Sequence, residues 1–159
     1  MKNKIFIKVI FAVLFVSTAL ISCKCDDDDG VNPSPDVYVV GYEYNRNNDR
    51  FVAKLWKNGI IQNLTDGTNS ANANSVYVSN NDVYVAGENG NKAVLWKNGI
   101  AQNLTDGTND AEAYSVYVYN NDVYVAGTDS GKAVLWKNGV ARNLTNGTNS
   151  GEAYCVLVK

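Results

Sequence analysis

A repeat of forty residues dominates the sequence. The segment KAVLWKNGIAQNLT at residues 92–105 recurs as KAVLWKNGVARNLT at residues 132–145 and, in shorter form, as KLWKNGIIQNLT at residues 54–65. A fixed period of this length indicates a fold in which each copy is one supersecondary unit and stacking of the copies buries a shared core. One tryptophan occupies the same position in each copy, at Trp56, Trp96 and Trp136.

Each copy divides into four short apolar runs. In the second copy these are SVYV at residues 75–78, DVYVAG at 82–87, AVLW at 93–96 and IAQNLT at 100–105. Valines alternate with larger side chains in the first two runs, which is typical of β-strands. An Asn-Gly pair at residues 98–99 separates the last two runs and predicts a tight hairpin turn, since both turn residues must accept positive φ.

Four antiparallel strands in forty residues, repeated in tandem, are typical of a β-propeller blade. We therefore predict an all-β domain at residues 36–159 with three four-stranded antiparallel blades. The domain opens on a run of the second type and has a run of the first type at residues 153–158, so that this last run is able to complete the first blade.

Three blades are fewer than the four to eight of a typical closed propeller. The repeats therefore close a very small ring, remain an open arc, or form six blades from two chains that exchange a strand. A shortened copy of a longer propeller is a further alternative. Free sheet edges are templates for association, so we expect self-association, most simply a homodimer.

The repeat motifs resemble those of extracellular HAF-type propeller repeats. The residues that carry the resemblance are AVLWKNG at 93–99, NLTDGT at 103–108, AYSV at 113–116 and VYVAG at 123–127. The likeness covers residues 36–159, with valine where that family has phenylalanine before Leu-Trp, and threonine after the leucine of NLT. The resemblance implies a propeller outside the cytoplasm, and it implies no activity and no site residues.

The N-terminal segment is predicted to be a lipoprotein signal peptide at residues 1–22. Three lysines precede an apolar run at residues 9–21, which is too short for a bilayer span of about 20 residues and fits a signal sequence. LISC at residues 20–23 resembles a bacterial lipobox, and this implies lipid attachment at Cys23. The alternative is an ordinary secretory signal in which Cys23 is incidental.

Residues 23–35 are predicted to be a tether between lipid and domain. Four aspartates at residues 26–29 look like the acidic tag that follows the lipidated cysteine in some Gram-negative lipoproteins of the cell surface. The alternative is a solvated spacer. Pro33 and Pro35 disfavour helix, so the tether is semi-rigid. We expect a lipid-anchored protein at the outer membrane or cell surface of a Gram-negative bacterium.

The chemistry of the chain does not favour catalysis. It contains no histidine, no glycine-rich phosphate loop and no CxxC pair, and its clearest charge run is acidic, which disfavours nucleic acid as a partner. The acidic residues mostly recur at turns. The cluster DGTNDAE at residues 106–112 does not have the offsets of an EF-hand loop. We therefore predict no enzyme activity, no cofactor and no metal.

Variation between the copies indicates where a ligand would bind, because binding residues often lie on variable loops of a rigid scaffold. We expect the tryptophans to be blade anchors, with a sugar-stacking platform as the alternative. The tyrosines beside the first run either contact a ligand or pack. The candidate ligand contacts are Glu88, Tyr114, Tyr119, Asp129 and Tyr154.

The sequence therefore predicts a membrane-anchored lipoprotein that displays a propeller module for binding a glycan or a protein. The alternatives are a non-binding structural scaffold or truncated propeller paralogue and, behind these, a carbohydrate-active enzyme.

Overall fold

The computed structural model describes residues 34–159, and this part of the chain is all-β. Eleven strands form three antiparallel sheets, each a meander in which consecutive strands pair. Sheet A contains β1 (Tyr38–Asn45), β2 (Arg50–Lys57) and β3 (Ile60–Asn63). Sheet B contains β4 (Ala71–Ser79), β5 (Asp82–Asn89), β6 (Lys92–Lys97) and β7 (Ile100–Asn103). Sheet C contains β8 (Ala111–Tyr119), β9 (Asp122–Asp129), β10 (Lys132–Lys137) and β11 (Val140–Asn143).

Turns rich in asparagine and glycine connect the strands, as predicted. Asn98 and Gly99 have φ values of 52° and 80°, which confirms the hairpin between β6 and β7. The Asn-Asn turns between the first two strands of sheets B and C also have positive φ, at Asn80 and Asn81 and at Asn120 and Asn121. These residue types accept this conformation more readily than most.

The hairpin asparagine also holds three strands together. The Oδ1 atom of Asn98 accepts a hydrogen bond from the backbone N of Val83 at 2.8 Å, and its Nδ2 donates to Asp82 at 2.7 Å. Lys97 lies 2.7 Å from the same carboxylate and holds the pKa of Asp82 below its ordinary value. Equivalent contacts recur at Asp36 and Asp122, so the repeated aspartates are structural.

Sheets B and C have the four strands predicted for each blade, whereas sheet A has three. The run at residues 153–158 does not form a strand and does not complete sheet A. It lies against sheet C instead, where Ala153 N donates to Gly127 O at 3.2 Å and Val156 N donates to Ser115 Oγ at 3.2 Å. With so few ladder bonds along its edges, the run stays outside any sheet.

Two apolar cores fill the spaces between the sheets. Between sheets A and B, Ala53 and Leu55 pack with Val85, Val94 and Trp96. Between sheets B and C the equivalent core contains Ala93 and Leu95 on one side and Val125, Val134 and Trp136 on the other. Trp96 and Trp136 are fully buried in these cores, whereas Trp56 is half-buried on the face of sheet A that is turned away from sheet B.

The first strands of sheets B and C are β4 and β8, and we call them the inner strands. They lie side by side where sheets B and C meet. Val116 N donates to Ser75 Oγ at 3.2 Å, and the Tyr77 and Tyr117 rings are 4.7 Å apart. Both strands contain a β-bulge, between Ala73 and Ser75 in β4 and between Ala113 and Ser115 in β8. The bulge leaves Asn74 and Tyr114 without a partner on the next strand, and a bulge of this kind re-aims the side chain.

Candidate functional site

A cleft of about 440 Å³ lies at one end of sheets B and C. The end of β5 and the turn that follows it form one wall, and the start of β8 forms another. The end of β9 and the segment after β11 complete the cleft. The side chains that give it its chemistry are Glu88, Asp110, Glu112, Tyr114, Thr128 and Glu152.

The local backbone positions Glu88 and Tyr114 in this cleft. Tyr114 is the bulged residue of β8 and therefore does not follow the regular alternation of the strand. Glu88 follows Gly87, where the inner strand β4 approaches so closely that a Cβ atom would overlap the carbonyl oxygen of Asn72. A glycine is required there, because only glycine allows the two backbones to come this near.

The carboxylate of Glu88 has an unusual environment. Burial, together with the nearby charges of Glu112 and Asp110, raises its pKa from 4.5 to about 7, against the hydrogen bond from Asn72. That bond runs from Asn72 Nδ2 to Glu88 Oε1 at 2.6 Å. Glu88 therefore titrates near neutral pH, so its charge responds to small changes in its surroundings.

Tyr114 lines the other side of the cleft, and the Tyr154 ring packs against it at a tilt. The Tyr114 and Tyr154 rings are 5.2 Å apart, and the hydroxyl of Tyr114 donates to Glu152 Oε2 at 3.3 Å. Burial and the charges of Glu112 and Glu152 raise the pKa of Tyr114, so its hydroxyl stays protonated and available as a donor. Tyr154 remains 69% exposed, which leaves an aromatic surface open to solvent.

An amide of sheet B orients Glu112. Asn74 Nδ2 donates to Glu112 Oε1 at 2.9 Å and to Ala113 O at 3.0 Å. Asn74 is the bulged residue of β4, so the same irregularity that turns Tyr114 toward the cleft also brings this amide to Glu112. The cleft thus combines oriented carboxylates, which accept hydrogen bonds, with tyrosine rings.

The neighbouring interface has less of this chemistry. Between sheets A and B, the positions equivalent to Glu88, Asp110, Glu112 and Tyr114 are occupied by Tyr42, Ser70, Asn72 and Asn74, and those equivalent to Thr128 and Glu152 are occupied by Glu88 and Glu112. Two of these six positions hold a carboxylate, against four in the cleft, although the two interfaces have equivalent cores. The four-carboxylate cleft is therefore a feature of one interface and is not a requirement of packing the repeat.

The structure brings together three of the five predicted ligand contacts. Glu88 and Tyr114 line the cleft, and Tyr154, which is not a lining residue, packs at a tilt against Tyr114. Asp129 is not among the lining residues and accepts a hydrogen bond from its neighbour Ser130. Tyr119 is at the opposite end of β8, five residues from Tyr114, which is about 17 Å along a strand.

Glu112 and Glu152 were not among the ligand contacts predicted from the sequence. Glu112 entered only as part of the cluster at residues 106–112, in which Asp106 instead caps its own turn by accepting from Thr108 N at 2.9 Å. The available signal was position: both glutamates lie two residues before a candidate tyrosine, in equivalent places of two copies.

Within residues 34–159, no three histidine, cysteine, aspartate or glutamate side chains are arranged to hold a metal ion. The same part of the chain has no helix with the length and apolar character needed to cross a membrane. The predicted signal peptide, Cys23 and the acidic run lie outside the described residues. No protein-family model matches the chain, and comparison with curated proteins gives no significant match.

Proposed function

We propose that this protein is a surface lipoprotein that binds a glycan, and that its three sheets are propeller blades. The cleft between sheets B and C is the ligand site. The observation that carries the proposal is the contrast between the two interfaces. Both have equivalent cores, yet one has four carboxylates and the Tyr114–Tyr154 pair at its end, where the other has two carboxylates and Asn74 beside Tyr114. Packing explains the features that the two interfaces share. We therefore attribute the side chains that only one interface has to ligand binding.

The chemistry of the cleft favours a neutral or amino sugar as the ligand. Carboxylates such as Glu112 and Glu152 accept hydrogen bonds from sugar hydroxyls or an ammonium group, and the exposed Tyr154 ring offers a flat apolar surface to the C–H face of a sugar. An anionic polysaccharide would meet like charge from four acidic side chains. A cleft of about 440 Å³ has the size of a small-molecule site.

A glycan array tests the proposal with three variants of the full chain. We expect Tyr154→Ala and Glu112→Gln to lose binding to the glycans that the wild type retains. Tyr119→Ala is the matched control, because it removes an exposed tyrosine from the far end of the same inner strand. Absence of binding to any neutral or amino sugar, or equal loss with Tyr119→Ala, would contradict the proposal and favour a non-binding scaffold.

The lipid anchor has its own test. Growth with an alkyne-tagged fatty acid should label the wild-type protein, and Cys23→Ser should abolish the label while Cys25→Ser retains it. Accessibility of the labelled protein to protease added to intact cells then distinguishes display at the surface from an inward-facing anchor. A labelled Cys23→Ser variant would contradict the predicted lipobox.

One observation favours hydrolysis of a glycan as a second function. Glu88 has a pKa of about 7 beside another carboxylate, and a glycosidase uses one protonated and one ionised carboxyl group. Glu88→Gln keeps the shape and removes the proton donor. Turnover of a bound polysaccharide by the wild type, abolished in Glu88→Gln with binding retained, would establish the enzyme; binding without turnover leaves the module a binder.

A further inference from the structure

Sheet A has an uncovered inner edge. In the described part of the chain, β5 and β9 are each paired with an inner strand, whereas β1 is the edge of its sheet. The consequence is visible in the exposure of equivalent valines: Val39 is 52% exposed, but Val85 and Val125 are 1% exposed. An edge strand with exposed apolar side chains is a template for a further strand.

Sheet A is a sheet without an inner strand, whereas residues 151–158 are placed like an inner strand but belong to no sheet. They lie against sheet C as β8 lies against sheet B. Val156 N bonds to Ser115 Oγ as Val116 N bonds to Ser75 Oγ, both at 3.2 Å. Other parts of the segment are exposed to solvent, however, and Leu157 is 62% exposed.

Gly41 indicates what is missing from sheet A. At Gly87 and Gly127 a Cβ atom would overlap a carbonyl oxygen of the inner strand, Asn72 O or Glu112 O. At the equivalent Gly41 a Cβ atom would meet only the Trp56 ring, at an ordinary 3.5 Å. Sheet A thus has the glycine that admits a closely approaching inner strand, although residues 34–159 place no such strand beside it.

The outer faces of sheets A and C, which are the faces turned away from sheet B, are also incompletely covered. Trp56 is half-buried on sheet A, whereas Trp96 and Trp136 are fully buried at equivalent places. On sheet C, Leu135 is half-buried, although its equivalent Leu95 is buried. Within the described residues, no sheet packs on either of these outer faces, whereas the equivalent faces pack together between sheets A and B and between sheets B and C.

One charge would enter an interface between these faces. Lys54 stands on sheet A where valine stands in the other copies, and it is already buried. It lies 2.9 Å from Glu43 and donates to Asn63 Oδ1 at 2.7 Å, so its charge is compensated within sheet A. A buried charge is tolerated when it is paired in this way.

We propose that residues 151–158 of a second copy pair with β1 and complete sheet A. Two copies that exchange these segments form a closed ring of six blades, within the range of known propellers. The register follows from sheets B and C, where Ser75 pairs with Ala86 and Ser115 with Ala126. Cys155 of one copy therefore lies opposite Val40 of the other. Lys159 lies opposite Asp36, so opposite charges meet at the end of the new strand pair.

The substitution Gly41→Ala tests the proposal directly. We expect the full chain in detergent to give a mass twice that of the denatured chain in native mass spectrometry, and Gly41→Ala to give a monomer. The variant should keep the far-ultraviolet circular dichroism of a β protein, because its Cβ atom has room within one copy. Gly127→Ala is the matched substitution where the inner strand is present, and it should disrupt the fold itself.

A disulfide tests the register. In a background with Cys23→Ser and Cys25→Ser, oxidised glutathione should join Val40→Cys to the native Cys155 of a second copy, and the glutathione takes up the two electrons as two thiols. Residues opposite each other in an antiparallel pair have Cα atoms about 4.5–5.5 Å apart, within the range of disulfides. Val39→Cys is the control, because its side chain points to the other face of the strand.

The outcomes separate clearly. A dimer that is lost in Gly41→Ala and is cross-linked by Val40→Cys but not by Val39→Cys supports the proposal. A wild-type monomer, or a dimer that Gly41→Ala leaves intact, overturns it. A ladder of cross-linked trimers and longer species overturns the closed ring. Glycan binding is measured separately, since the cleft lies within one copy, and loss of the dimer leaves that site in place.

Discussion

The charge of Glu88 should make the stability of the protein depend on pH in an unusual direction. Its pKa rises from 4.5 to about 7 in the folded protein. Between these two pH values the folded state binds more protons than the unfolded state, so the free energy of unfolding falls as the pH rises. Most structural carboxylates act in the opposite sense, as Asp82 does with its lowered pKa.

The size of the effect follows from the two pKa values. A difference of 2.5 in pKa, from 7 − 4.5, corresponds to about 3.4 kcal/mol at 1.36 kcal/mol per pKa unit. Glu88 is only half-buried, and solvent screens charges at that exposure, so we expect about 1–2 kcal/mol. Glu88→Gln resembles the protonated form. The variant should match the wild type well below pH 4.5 and exceed its stability by this amount above pH 7.

Urea unfolding of the wild type and Glu88→Gln at several pH values measures the difference, and subtraction cancels the contributions of the other titrating groups. Glu112→Gln is the companion variant. It removes a neighbouring charge that raises the pKa of Glu88, so the transition should move to lower pH. A wild-type-minus-variant difference that is the same at every pH would refute this interpretation of the site.

Further variants test the packing and the turns. Trp96→Ala should cost about 3–5 kcal/mol of unfolding free energy because the side chain is fully buried, and Trp56→Ala in the monomeric Gly41→Ala background should cost clearly less; equal losses in urea unfolding would contradict the difference in burial. Asn98→Ala should destabilise the protein by about 1–3 kcal/mol, since it removes two hydrogen bonds and places alanine at positive φ. Asn98→Gly should recover part of this loss in thermal unfolding.

Much of the fold was predictable from local signals. Asn98-Gly99 predicted its hairpin because positive φ is a property of the residues themselves, and the alternating valines predicted strands. The partner of residues 153–158 was not predictable in the same way. The strand pattern of these residues predicts that they lie beside another strand. It does not indicate whether that strand belongs to sheet A or to sheet C, because this depends on three-dimensional placement.

The candidate site was predictable only in part for a related reason. Variation between copies selected Glu88 and Tyr114 together with Tyr119 and Asp129, but it does not indicate which end of a strand a residue occupies. The bulge at Tyr114 interrupts the alternation of β8, and no glycine or proline at this position indicates it in the sequence. Glu112 was therefore not recognised as a neighbour of Glu88, and the perturbed pKa of Glu88 was not predictable.

The unequal burial of the three tryptophans gives the protein an internal optical reporter. The indole rings of Trp96 and Trp136 are dry and should emit at short wavelength in any assembly state, whereas Trp56 is partly in contact with water. Association through the outer face of sheet A would remove that water. The emission spectrum should then shift to the blue as the protein concentration increases, and a Trp56→Phe variant should show a constant spectrum, so that one unlabelled residue reports assembly.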